Sequence, residues 1–371
     1  MNQYLHQLTW LRGLAAFFVI CGHSLRALDP VYHNESVISQ AHPFRFLDLG
    51  TFGVLLFFVL SGCTLTISNG LNFNTKNHIA IFMVKRFFRI WPAFFLSILL
   101  YAIFRLVFQE FYVDQQGFWV EYQFMAQVDW YDFLTYITLI FNYTGNNGLF
   151  NNAFWSLPVE FQYYILFPMI LMSYRYLSIF GPILIGGILY FLPQIVALPA
   201  GIDKKFFVLA YSFCAGVLIG GIYLQYKIKF RISQTISFIL IFMTLMLNAL
   251  VVNDLIIIPD VLFISNKWNF NAISAIFLTG LLLLTEYNIH PAIAAILKKM
   301  GDISYSSYLL HNMVIATVML IIIQLDLYDI EYIVLPIISI IFTYALSHYF
   351  HKYVEVPGIN FGRYLSKKLN K

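Results

Sequence analysis

Ten apolar stretches, each long enough to cross a hydrocarbon core of ~30 Å, divide this chain of 371 residues. They lie near 8–27, 50–69, 88–108, 156–174, 177–197, 206–225, 233–252, 271–287, 303–324 and 332–350. In lipid every backbone N–H and C=O must be satisfied within the protein, so segments of this length are expected to be helices. The expected fold is all-α, a polytopic membrane protein with about ten transmembrane helices. Composition agrees: 11% of residues are charged, against roughly 25% in soluble domains, too few to cover a globular surface. The shorter stretch 133–143 reads as interfacial or re-entrant, and no repeat or linker divides residues 1–371, which read as a single integral domain.

Lysine and arginine set the orientation. With the N-terminus inside, the cytoplasmic segments carry fifteen basic residues and the opposite loops five. The long loop 109–155 then lies outside and contains no Lys or Arg, while 351–371 forms a short basic cytoplasmic tail. Both termini are thus expected in the cytoplasm. The net charge of +4 follows from topology and gives no reason to expect nucleic acid. The first apolar run lacks a cleavage site and reads as a retained helix.

Ionisable residues inside a membrane cost at least ~2.5 kcal/mol at the helix centre and mark functional candidates. Arg12 and His23 fall in the first span, Glu160 in the fourth and His311 in the ninth. Eleven residues bring a helix ~20° past three full turns and ~16 Å along its axis, so Arg12 and His23 share a face. Arg12 could instead snorkel to the interface, and His23 could be a buried neutral histidine. Glu160 lies at a depth similar to His23 and needs a partner; a structural hydrogen bond to a neighbouring helix would also serve. For His311, lining or packing competes with chemistry. Arg86 and Arg89 sit three residues apart in KRFFRIWP, on one helix face. They either anchor the topology or clamp phosphate oxygens with their forked donors. Cys21, Cys63 and Cys214 lie in apolar runs and read as small buried hydrophobes. No P-loop, HExxH, CxxC or GxSxG is present, so ATP-driven work, a metal centre and a serine nucleophile are not expected.

Six segments in order resemble the acyltransferase-3 family of integral membrane acyltransferases. They are LTWLRGLAAFFVICGH with Arg12 and His23, GTFGVLLFFVLSG, KRFFRIWP, FWSLPVEFQYYILFP around Glu160, GDISYSSYLLH ending at His311, and YVEVPGINFG with Glu355 and Pro357. The resemblance spans nearly the whole chain. Cys63 after LSG and Pro158 are small departures that remove no charged group.

The resemblance implies an O-acetyltransferase that takes an acyl group from cytoplasmic acetyl-CoA or another acyl-CoA. The acceptor would be a hydroxyl of a cell-envelope glycan or lipid-linked saccharide, at the cytoplasmic (inner or plasma) membrane. Arg12, Arg86 and Arg89 are then expected to bind the donor, and His23 with Glu160 to carry catalysis. His311, Tyr308 and Ser304 are possible channel-lining residues. His23 oriented by Glu160 would act as general base, or else as an acylated nucleophile. Phe118, Trp119, Tyr122, Trp130 and Tyr131 in the outer loop could stack on sugar rings or form an interfacial belt. The extra extracytoplasmic hydrolase-like domain of many relatives is not expected. A transporter or flippase of acyl groups or lipid-linked sugars is the alternative, without the inverted repeat that would favour it.

Overall fold

The computed structural model describes residues 5–27, 49–71, 76–111, 124–145, 148–199, 202–226, 231–256, 267–325, 327 and 331–369. Helices α1 (His6–Ala27), α2 (Gly50–Asn69) and α3 (Lys76–Glu110) open the chain, followed by the short α4 (Trp130–Ile137). Next come α5 (Ser156–Leu177), α6 (Phe180–Ile195), α7 (Ala210–Tyr226), α8 (Gln234–Val252) and α9 (Lys267–Leu283). The order ends with α10 (Pro291–Asp302), α11 (Ser304–Gln324), α12 (Glu331–Phe350) and α13 (Val356–Leu369). Of the described residues 85% are helical, and among them there is no strand, only an isolated bridge between Ile232 and Thr285. All ten apolar stretches overlap helices, and among the described residues seven helices are long and apolar enough to cross a membrane. The apolar α6 is shorter. Outward faces carry apolar residues, such as Ile103 and Leu106 on α3 and Phe242 and Met243 on α8. That is the surface lipid requires, so the protein is an all-α polytopic membrane protein.

Helix contact is set by small residues, because between helices in lipid packing replaces the hydrophobic effect. α2 is sandwiched between α1 and α7. A Cβ on Gly62 would lie 2.2 Å from Phe213 O, and one on Gly216 2.1 Å from Val59 O, so the α2 and α7 backbones touch. α1 also packs on α10, α11 and α12, and Gly301 brings α10 against the Thr9 carbonyl of α1. This crowding fixes α1 along its length.

Two boundaries differ from the sequence expectation for one reason. Residues 351–369 of the expected short basic tail are helical: a π turn at His351–Glu355 carries α12 straight into α13. Likewise α3 begins at Lys76, well before 88. Gly358, Gly362 and Ser366 recur at four-residue spacing and give α13 a small-residue face, on which it packs against Phe88 of α3. Arg363, Lys367 and Lys368 point away, exposed. The helix α10 was not expected at all. Within the loop, α4 is set by a capping box between Asp129 and Asp132.

Candidate active site

Arg12 and His23 project from one side of α1 into two different clusters. At the Arg12 end, α1, α2, α3, α5 and α11 line a partly open pocket, with about 550 Å³ of space counting the solvent at its mouth. Arg12, Arg89, Ser61, Glu160, Tyr164 and Tyr305 supply its polar lining, and Val54, Phe57, Phe58, Ile90 and Leu157 most of its apolar lining. Glu160 Oε1 accepts from Ser61 Oγ at 3.1 Å and from the Tyr164 hydroxyl, one turn further along α5. Tyr305 closes the opposite wall, its hydroxyl donating to Ile90 O at 2.9 Å.

Arg86 does not line this cavity beside Arg89, although the two are three residues apart on α3. Its guanidinium lies 5.6 Å from the Phe82 ring centroid and 5.8 Å from that of Tyr164. Arg12, Arg86 and Arg89 are within electrostatic reach of one another, Arg12 and Arg86 of Glu160, and Arg12 and Arg89 of Glu355. Among the described residues, none of the three guanidiniums comes within ion-pair distance of a carboxylate, and Arg86 Nε is buried without a hydrogen-bond partner. Three cations against two carboxylates, Glu160 and Glu355, leave an excess of positive charge where desolvation is expensive. Such a site is complementary to a polyanion.

Glu355, at the π turn, is 1% exposed; its Oε2 accepts from Ser306 Oγ at 2.7 Å and lies 2.9 Å from His351 Nδ1. It sits within electrostatic reach of Arg89. Ser304 is not in the cavity wall; its hydroxyl donates to Gly301 O at 2.8 Å.

At the other end of the α1 face, His23 packs on α11. Its Nδ1 is 2.7 Å from His311 Nε2 and 2.9 Å from Asn312 Oδ1, and the two imidazoles meet end to end, their centroids 4.9 Å apart and their planes 23° apart. The expected hydrogen bond between His23 and Glu160 is not made. Both bonds of Glu160 go to Ser61 and Tyr164, because α5 turns the carboxylate towards the arginines. His23 meets α11 instead. Asn312 Nδ2 donates to Asn151 Oδ1 at 2.5 Å and Asn152 Oδ1 at 2.9 Å, and Asn151 donates to Tyr101 OH at 2.9 Å. Tyr308 joins the two clusters. Its ring lines the cavity, stands 5.8 Å from that of His311, and its hydroxyl bonds Ser156 Oγ at 2.7 Å.

The sequence reading passed over Ser61, Tyr164, Tyr305, Asn312 and Arg105. Tyr164 was signalled by its four-residue spacing from Glu160, and Asn312 by following His311. Arg105, 5% exposed, donates to the carbonyls of Leu149 and Ala126 and so ties the segment after α3 to that helix. Of the loop aromatics, Trp130 and Tyr131 are exposed on α4, and Phe118, Trp119 and Tyr122 lie outside the described residues. Cys21, Cys63 and Cys214 are buried free thiols.

No curated protein and no solved structure matches this sequence. A family model described as an acyltransferase domain matches residues 5–352, a span that takes in α1 to α12 with both clusters. The chain belongs to the acyltransferase-3 family and is an integral membrane acyltransferase.

Proposed function

We propose that this acyltransferase moves an acetyl group from acetyl-CoA to a hydroxyl of a cell-surface or lipid-linked glycan. The observation that carries the reading is the group of three guanidiniums with no carboxylate in ion-pair range among the described residues, two of them on the cavity wall. The donor carries phosphates at one end and a thioester at the other, joined by a long flexible arm. Arg89 and Arg12 would hold the phosphates, with Arg86 adding to the field from behind Tyr164. The eleven-residue step from Arg12 to His23 is ~16 Å along α1, a reach suited to the arm. The excess of Lys and Arg on one side puts the Arg12 end at the cytoplasm, where the donor is made, and the His23 end towards the acceptor.

In this reading His23 removes the acceptor's hydroxyl proton as that oxygen attacks the thioester carbonyl. The C–S bond breaks, the new C–O bond remains, and the departing thiolate takes the proton from the imidazolium, so His23 ends neutral. An imidazole can both take the proton and return it. Glu160 stays on the donor side and offsets part of the arginine charge. Mass spectrometry of envelope glycans from cells with and without the gene tests the reaction. One acetyl group should be missing from one glycan in the deletion strain and return with the wild-type gene but not with His23→Ala. Unchanged acetylation across the envelope would refute the acceptor class.

A further inference from the structure

The hydrogen bonds around His23 determine which of its nitrogens is the base. His311 Nδ1 lies 2.9 Å from Tyr308 O and 3.2 Å from Ser307 O on its own helix. Carbonyl oxygens only accept, so His311 carries its proton on Nδ1 and its Nε2 presents a lone pair. That lone pair is 2.7 Å from His23 Nδ1. The second neighbour of His23 Nδ1 is Asn312 Oδ1, at 2.9 Å. The amide is held in this orientation because its Nδ2 donates to Asn151 and Asn152. Two acceptors converge on His23 Nδ1. Both His311 and Asn312 are 0% exposed, so water does not compete for the contact.

From this geometry we infer that His311 and Asn312 are positioning residues that lock His23 as the Nδ1–H tautomer and place its basic lone pair on Nε2. The inference rests on the reading of His23 as the base. It assigns to a second histidine and a neutral amide the task that a carboxylate performs in a serine–histidine–aspartate triad. Nε2 takes the acceptor's proton while its oxygen attacks the thioester carbon, and returns that proton to the thiolate as the C–S bond breaks. Throughout, Nδ1–H keeps donating to His311 Nε2 and Asn312 Oδ1. No carboxylate is required next to His23, so Glu160 can serve the cavity alone. The two rings lie end to end within 23° of a common plane, so the contact fixes the plane of the imidazole as well as its tautomer.

Nitrogen-15 spectra of the bilayer-embedded protein, labelled on its nine histidines, test this without reference to activity. His23 and His311 are assigned by their loss in His23→Ala and His311→Phe. At neutral pH both residues should show a protonated Nδ1 and an unprotonated Nε2. A protonated Nε2 on His23 would overturn the inference. Kinetics supply the second arm. His311→Phe keeps an aromatic ring but loses the acceptor, and should cost on the order of 10²-fold in kcat with the donor KM unchanged. His311→Gln, which offers an acceptor oxygen, should regain most of the loss. Full activity in His311→Phe would likewise overturn it. If the spectra show the stated tautomer and His23→Ala remains active, the tautomer lock stands and the base reading falls.

Discussion

Ser61 Oγ reaches Glu160 Oε1 at 3.1 Å across the contact of α2 with α5, on the oxygen that also takes the Tyr164 hydroxyl. Glutamine at 160 can keep both bonds through its carbonyl oxygen, so Glu160→Gln should fold and leave the arginines with less compensating charge. Because Glu160 and His23 share no hydrogen-bond partner, the kinetic defects of Glu160→Gln and His311→Phe should multiply to within about twofold, as independent sites do. A double variant no worse than the poorer single one would show that the two clusters act as one unit.

Arg89 and Arg86 should separate in kinetics. Arg89 faces the cavity, and Arg89→Ala should raise the donor KM about tenfold or more, the loss of a charge-assisted contact of roughly 1.5–3 kcal/mol. Lysine there should restore only part, since an ammonium lacks the forked geometry. Arg86 rests on the rings of Phe82 and Tyr164. Arg86→Ala should cost about 1 kcal/mol of stability through lost cation–π contact and raise KM less. Thermal unfolding in detergent alongside donor titration distinguishes the two.

The spans and the intramembrane charges were legible because hydrophobic length and the expense of a buried ion are properties of the residues themselves. The shared face of Arg12 and His23 followed from helix geometry alone. The pairing of His23 was not legible. Depth along a helix can be counted, but neither the neighbour of α1 nor the rotation of α5 is written in a one-dimensional pattern. α1 packs on α11, so His311 and Asn312 meet His23, while Glu160 turns to Ser61 and Tyr164. The extension of α12 into α13 was hidden for a related reason. Its Gly358, Gly362 and Ser366 face has meaning only once α3 is known to lie beneath it.

The glycine contact of α2 with α7 predicts a sharp stability effect. Gly62→Ala or Gly216→Ala drives a methyl group into a carbonyl 2.2 or 2.1 Å away, and overpacking of this kind costs about 1–3 kcal/mol. Gly187→Ala on α6 meets nothing within 4 Å and should melt like wild type. Equal melting of all three would refute the close backbone approach.

Arg105 should act on the chemistry end and leave the donor end alone. Arg105→Leu leaves the Leu149 and Ala126 carbonyls without their donor, at about 1–3 kcal/mol for each buried unpaired group. The freed segment runs into Asn151 and Asn152, which orient Asn312. Hydrogen exchange should therefore rise between Phe133 and Asn152 and kcat should fall, with donor affinity unchanged. Arg105→Lys should not rescue, because one ammonium cannot span both carbonyls as the guanidinium does.

The central claim is that donor binding and proton transfer occupy opposite ends of one face of α1. The most direct measurement pairs equilibrium binding of acetyl-CoA with release of free CoA thiol in the presence of envelope glycan, for His23→Ala and Arg89→Ala in proteoliposomes. His23→Ala should bind acetyl-CoA with wild-type affinity and release no CoA above background. Arg89→Ala should bind weakly and, at saturating donor, release CoA at close to the wild-type rate. Sustained CoA release by His23→Ala, or loss of donor binding in that variant, would contradict the division of labour along α1.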